Sequence, residues 1–174
     1  MESKVKLLGH PIHPMLIVIP LGLFIAAVVF DALYLWHGNP AFAVVGYWNV
    51  AGGIIGGLLA AVFGLVDWLA IPSGTRAKRI GLLHGAGNVI VVALFALALW
   101  IRSSGADATP TMNVFLIEVL ALVLGSVAGW LGGELVDRLA VGVDDGAHLD
   151  APSSLSGLPA RARESTVSPH RRAS

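Results

Sequence analysis

The side chains of this sequence that could ligate a metal, orient a ligand or hold a proton sit near the ends of long apolar runs. Gly9-His10-Pro11-Ile12-His13-Pro14 places two imidazoles between prolines. This stretch cannot be helical through Pro11. Pro14 suits a first helical position, which puts His13 at or near the N-cap. Two or three neutral imidazoles suit zinc, copper or iron, and a pair from opposite sides suits haem iron. Asp67 stands 8 residues before Thr75 and His84 stands 9 after it. In an antiparallel hairpin the two lie at one depth, about 6–8 Å inside the membrane boundary at about 1.5 Å per residue. Asp67 is therefore placed to accept the ring N–H of His84. Asn88 is one turn from His84 on the same face, and Glu134 closes a fourth apolar run. The candidate cofactor-binding residues are His10, His13, Asp67, His84 and Asn88. The candidate metal ligands are His10, His13, His84 and Glu134. Each has a plainer role open to it. A histidine can cap a helix or sit among headgroups, and for His10 alone that role is preferred. Asp67 can pair with Arg76 or Arg79, and Glu134 can face water beside Asp137 and Arg138. His37 reads as a loop residue, and His148 and His170 fall in a polar tail.

The elements that must position these groups are membrane-spanning helices. Of 174 residues 56% are hydrophobic and only 13% charged, against about a quarter charged in soluble domains. Mean hydropathy is +0.79. Between Leu7 and Pro72 the only formal charges are Asp31 and Asp67, which leaves no means of building a soluble surface. Net charge is +0 and cysteine is absent. The first gives no sign of a nucleic-acid partner, and the second removes thiolate ligation by this chain. Four segments reach the roughly 20 apolar residues that a spanning helix needs: 14–36, 47–71, 80–101 and 112–136. Lipid tolerates only internally bonded backbone, and no alternating ten-residue segments point to a barrel. The expected fold is an all-α membrane protein, a four-helix transmembrane bundle with antiparallel sequential neighbours. The expected divisions are an N-terminal segment 1–13, the bundle 14–141 and a disordered tail 142–174.

Lys4 and Lys6, then Arg76, Lys78 and Arg79, then Arg138 and the tail arginines lie on one side of such a bundle. The other side holds only Arg102. Both termini are therefore expected in the cytoplasm, with the chain in a bacterial inner membrane. His10, His13, Asp67, His84 and Glu134 then share the cytoplasmic end. Asp31 and Glu118 lie towards the opposite face. Small residues four apart, Gly52/Gly56, Gly53/Gly57, Gly125/Gly129 and Gly129/Gly133, suit close helix packing. They also suit room for a flat cofactor or a second copy of the chain. Pro20 should bend the first span. The second and third spans do not read as a repeat of the fourth and first.

The set Gly9–Pro14, Val66-Asp67-Trp68, Leu83-His84-Gly85 with Asn88, and Gly129-Trp130-Leu131-Gly132-Gly133-Glu134-Leu135-Val136 resembles a bacterial four-helix membrane domain of unknown function. That family also occurs fused ahead of Rieske iron–sulfur domains. The resemblance covers about residues 7–143. It implies an electron-transfer setting with haem b or a quinone, and a Rieske protein as one partner beside membrane lipid. It implies no established enzymatic activity. The sequence carries no Rieske domain, and it has Glu134 where fused members often carry histidine. Three readings follow: a haem- or metal-binding electron-transfer subunit, an oxidoreductase component if enzymatic; a non-catalytic structural or assembly protein; and a small transporter or proton path through Asp31, Asp67 and Glu118. No nucleophile–base pair or phosphate loop supports a hydrolase.

Overall fold

The computed structural model describes residues 1–105 and 108–162. His170 and the end of the expected tail, 163–174, lie outside the described residues. A two-stranded hairpin opens the chain, β1 (Lys6–Leu7) and β2 (His10–Pro11). Leu8 and Gly9 turn it with φ of 52° and 84°, the two left-handed positions of a tight hairpin turn. Then follow α1 (Ile12–Leu16), α2 (Val18–His37), α3 (Pro40–Ala70), α4 (Arg76–Ser103) and α5 (Met112–Gly133), which ends in a π-helical turn, Glu134–Arg138. Together these make four apolar helices long enough to cross a bilayer. Leu21, Val29, Leu58, Leu82, Val89, Leu116 and Val123 point outwards and exposed, as a lipid-facing surface requires. Trp36, Trp48 and Trp100 are exposed at the bundle end opposite the chain's start, where indoles meet headgroups.

The helices run longer than the apolar runs suggested, because their caps lie in what read as loops. Asn39 accepts from Ala41 N at 3.0 Å, and Pro40 takes the first helical position. Gly38-Asn39-Pro40 is thus a two-residue link and a helix start, not part of a ten-residue loop. α3 reaches 31 residues, about 46 Å, enough for the hydrocarbon and both headgroup layers. Thr75 caps α4 and Thr111 caps α5 in the same way. Span one breaks at Ile17, between α1 and α2. Pro20, four residues after Leu16, lacks the N–H that would bond that carbonyl, and its ring crowds it.

α2 packs along α3, α4 packs along α5, and the two hairpins close into a bundle with α2 and α4 on the diagonal. One hairpin repeats the other. His84, Phe95, Ala98 and Arg102 on α4 each follow His13, Phe24, Ala27 and Asp31 by 71 residues. Buried Val114, Glu118, Ala121 and Ala128 on α5 follow buried Gly46, Val50, Gly53 and Ala60 on α3 by 68. Both hairpins start at the same end, so they are related by a pseudo-twofold axis along the bundle. The repeat pairs spans one and two with spans three and four. Equivalent residues of α2 and α4 meet across this axis. Phe24 stacks on Phe95 at 3.9 Å with the planes 2° apart. Phe24 in turn fills the space at Gly53, where a Cβ would come within 2.5 Å of the ring. Lipid is as apolar as these side chains, so close packing rather than water exclusion holds the centre.

The end opposite the chain's start is closed by charge. Arg102 Nη1 lies 2.5 Å from Asp31 Oδ2, and both side chains are wholly buried. Its Nη2 donates to the Ala43 carbonyl and its Nε to the Ala108 carbonyl, at 2.5 and 2.8 Å. Glu118 Oε1 stands 3.9 Å from the same guanidinium. A Cβ at Gly46 would land on the Asp31 carboxylate, so glycine there makes room for the ion pair. Removing one partner of a buried pair leaves an unanswered charge. Arg102→Met should therefore cost about 3–5 kcal/mol of unfolding free energy in detergent. A loss no larger than that of a surface arginine such as Arg138→Met would mean that Arg102 does not bind these helices together.

Candidate functional site

The two spanning histidines converge at the end that carries the chain's start. His13 lies in the first turn of α1, a residue or two further into the helix than Pro14 alone suggested. Its Nδ1 is 2.8 Å from the Ala60 carbonyl of α3. The ring lies against Gly64, where a Cβ would come within 2.8 Å of Cε1. His84 repeats this arrangement in the second hairpin. Its Nδ1 is 2.8 Å from the Ala128 carbonyl of α5, and its ring lies over Gly132. A carbonyl only accepts, so each Nδ1 holds a proton, and in the neutral form of either ring the lone pair falls on Nε2. The imidazoles face each other across the pseudo-twofold axis with centroids 6.3 Å apart and planes at 87°. Asn88 Nδ2 donates to the His84 carbonyl at 2.9 Å. It stands 3.3 and 3.5 Å from the two nitrogens of the His84 ring. Such near-equal distances put the amide beside the ring, not in line with one lone pair.

Of the candidate residues, His13, His84 and Asn88 come together, and His10, Asp67 and Glu134 do not join them. Asp67 does not orient His84. It accepts from Ser3 Oγ at 2.9 and 2.8 Å and from Lys4 N at 2.7 Å, so it ties down the N-terminal segment. The hairpin argument fixed its depth but not its rotation about α3. Glu134 is held by Arg76 Nη2 at 2.5 Å. His10 is exposed on β2, with Nε2 3.4 Å from Ser154 Oγ. Among the described residues no three His, Asp or Glu side chains stand close enough to hold a metal ion.

Polar contacts gather the surrounding segments over this end. Met1 N donates to the Ala140 carbonyl and Gly142 N to the Met1 carbonyl, each at 2.8 Å. Lys6 meets Asp144 at 2.5 Å and Glu2 at 2.8 Å. Hydrogen bonds first to Asp144 and then to Glu2 hold its ammonium above the usual lysine range. Ser154 Oγ donates to the Leu8 carbonyl at 3.1 Å. Residues 142–162, expected in a structureless tail, thus form turns that lie against the N-terminal hairpin. Lys78 spans the loop between α3 and α4, with Nζ 2.6 Å from the Trp68 carbonyl and 4.0 Å from the Trp68 ring centre.

The sequence reading left Arg102 in a loop and placed Asp31 and Glu118 towards the end opposite the chain's start, as candidates for a proton path, without joining the three. The signal was present. Arg102 is the lone basic residue at that end, level with two acids and 71 residues after one of them.

Asp67→Ala should release residues 1–5, seen as faster amide exchange there, and leave the His84 imidazole resonances unmoved. A shift of those resonances would restore Asp67 as the residue that orients His84.

No curated protein and no solved structure matches the chain. A family model described as a predicted membrane protein (DUF2231) matches residues 9–145, the stretch from the hairpin turn through the last helix to the segment that returns to Lys6. The chain belongs to this family of uncharacterised membrane proteins.

Proposed function

We propose that the chain is a haem b-binding electron-transfer subunit, in which His13 and His84 would hold the haem iron. The supporting observation is the imidazole pair, each ring fixed by an Nδ1–H bond to a helix carbonyl and each Nε2 left basic. This is how metal-binding histidines are commonly oriented. The two ring centroids stand 6.3 Å apart, near enough for one ion to be held by both imidazoles. Two ligands suffice for haem iron, whose other positions the porphyrin fills. A protein-held zinc or copper ion needs more, and His10 and Glu134 are engaged elsewhere. A shallow apolar groove lined by Leu83, Gly87, Leu124 and Ala128 runs along α4 and α5.

Haem would supply one-electron chemistry. The chain's own residues would supply the rest. Ala60 and Ala128 hold a proton on each Nδ1 and fix the rotation of both rings, while Asn88 steadies one of them. The resemblance to domains fused to Rieske proteins supports a Rieske protein or a quinone as the exchange partner. Basic residues around the loop 72–75 support a cytoplasmic position for this end, in a bacterial inner membrane.

The same spacing and angle also suit a plain edge-to-face ring pair, the structural reading, so optical spectra of the purified protein decide. Protein from haem-replete cells should show a Soret band in oxidised and reduced states. Both His84→Ala and His13→Ala should lose the six-coordinate signature. A colourless, metal-free wild-type protein would overturn the proposal. Orientation is tested separately. Ser73→Cys should react with an impermeant maleimide only in inverted vesicles, and reaction from the outside of intact cells would place this end outside.

A further inference from the structure

The charge-closed end of the bundle carries an imbalance that the helices alone do not resolve. Among the described residues, the groups facing it come from each element packed around it. α2 gives Asp31, α4 gives Arg102, α5 gives Glu118, and α3 gives the Tyr47 ring, 5.8 Å from the guanidinium, and the Ala43 carbonyl. The segment before α5 gives the Ala108 carbonyl. One guanidinium thus faces two carboxyls. Its short bond goes to Asp31 Oδ2, and its Nη2 and Nε donate to the two carbonyls. Glu118 Oε1 at 3.9 Å is too far to be bonded by it. Asp31 Oδ1 and both Glu118 oxygens are buried with no donor among the described residues. Both side chains are wholly buried, and both carboxyl groups approach the one Arg102 Nη1, Asp31 Oδ2 at 2.5 Å and Glu118 Oε1 at 3.9 Å.

Two carboxylates left facing each other without a proton would repel, and the surplus negative charge would be unsolvated inside the bundle. We infer that Glu118 and Asp31 form a single-proton binding site, in which the Glu118 carboxyl carries the proton and donates it to Asp31 Oδ1. Arg102 then neutralises Asp31, and the assembly is neutral overall. The donated O–H satisfies Asp31 Oδ1 and leaves Glu118 one carbonyl oxygen on the guanidinium side. A metal cation fits less well. Hard cations take six or more oxygens, only three are free here, and the guanidinium beside them repels positive charge. Val50, the counterpart of Glu118 in the first hairpin, carries no such group. The proton site therefore belongs to one side of the axis, independent of the histidine pair at the other end.

Infrared spectroscopy of the full chain in detergent at neutral pH tests this. The wild type should show the C=O stretch of a protonated carboxyl, shifted in D2O. The band should vanish in Glu118→Gln, and also in Asp31→Asn, where Arg102 is free to pair with an ionised Glu118. Glu118→Gln places an amide donor where the carboxyl proton was, so its melting temperature should match the wild type. An ionised Glu118 would instead make that variant melt higher, by relieving buried negative charge. No band in the wild type, or a band that survives both substitutions, overturns the proposal. So does a wild-type melting temperature that rises when sodium replaces a bulky organic cation and loses that rise in Glu118→Gln, which would mark a cation site. If neither variant folds, the wild-type band decides.

Discussion

Arg102 is wholly buried among four helices that have no water to offer it, and each group it touches belongs to a different segment. Its guanidinium binds the Asp31 carboxylate on α2, the Ala43 carbonyl near the start of α3 and the Ala108 carbonyl ahead of α5. A charge in this position is tolerable only when it is paired and hydrogen-bonded, so its bonding fixes where three other segments sit. The glycine at position 46 follows from that demand, since any side chain there would occupy the place of the Asp31 carboxylate. Ala108 meets it with a left-handed φ of 49°, a strained setting for a residue with a Cβ. The unusual backbone at this end is thus the cost of bonding one buried cation.

The pseudo-twofold axis explains why this interaction lies where it does. When one hairpin repeats another about an axis along the bundle, residues near the axis face their own counterparts. Two phenylalanines can then stack, as Phe24 and Phe95 do. Two like charges could not stay, whereas an acid in one hairpin and an arginine in the other can neutralise each other. Asp31 and Arg102 are that solution, reached by letting the two copies differ at one position. The small residues of α3 fit the same picture. Gly46, Gly53 and Gly64 each admit one identified side chain, respectively Asp31, Phe24 and His13. They serve packing inside a hairpin more directly than approach by a second chain.

Much of this architecture was legible in the sequence, because length, hydropathy and breaker residues depend on little beyond the local chain. Four helices, their antiparallel order and the gathering of His13 and His84 at one end all follow from those signals. Depth could be counted from a loop, since a helix rises by a fixed amount per residue. Rotation could not. Asp67 and His84 share a level, yet Asp67 faces Ser3 and His84 faces Ala128. Helix ends were hidden for a related reason. Asn39 and Thr75 resemble loop residues until their side chains are seen bonded to Ala41 and Lys78, which adds a turn or more to α3 and α4. Extending α4 past residue 101 is what carries Arg102 out of the loop and into the bundle. The internal repeat was legible only by comparing spans one and two with spans three and four. Its signature is a handful of polar and aromatic positions scattered through interchangeable apolar ones.

The two ends of the axis therefore differ in kind. At one end the paired positions hold unlike groups, a carboxylate and a guanidinium, which bond each other, with the Glu118 carboxyl beside them. At the other end they hold the same group twice. Two neutral imidazoles with their protons committed to Ala60 and Ala128 cannot bond each other through Nε2, because each would be offering a lone pair. A hydrogen-bond donor or an electron-pair acceptor would answer both lone pairs, whereas a further acceptor would not. The asymmetry between Asp31–Arg102 and His13–His84, set at equivalent places in one repeat, thus leaves free ring nitrogens at one end and buried carboxyl oxygens at the other.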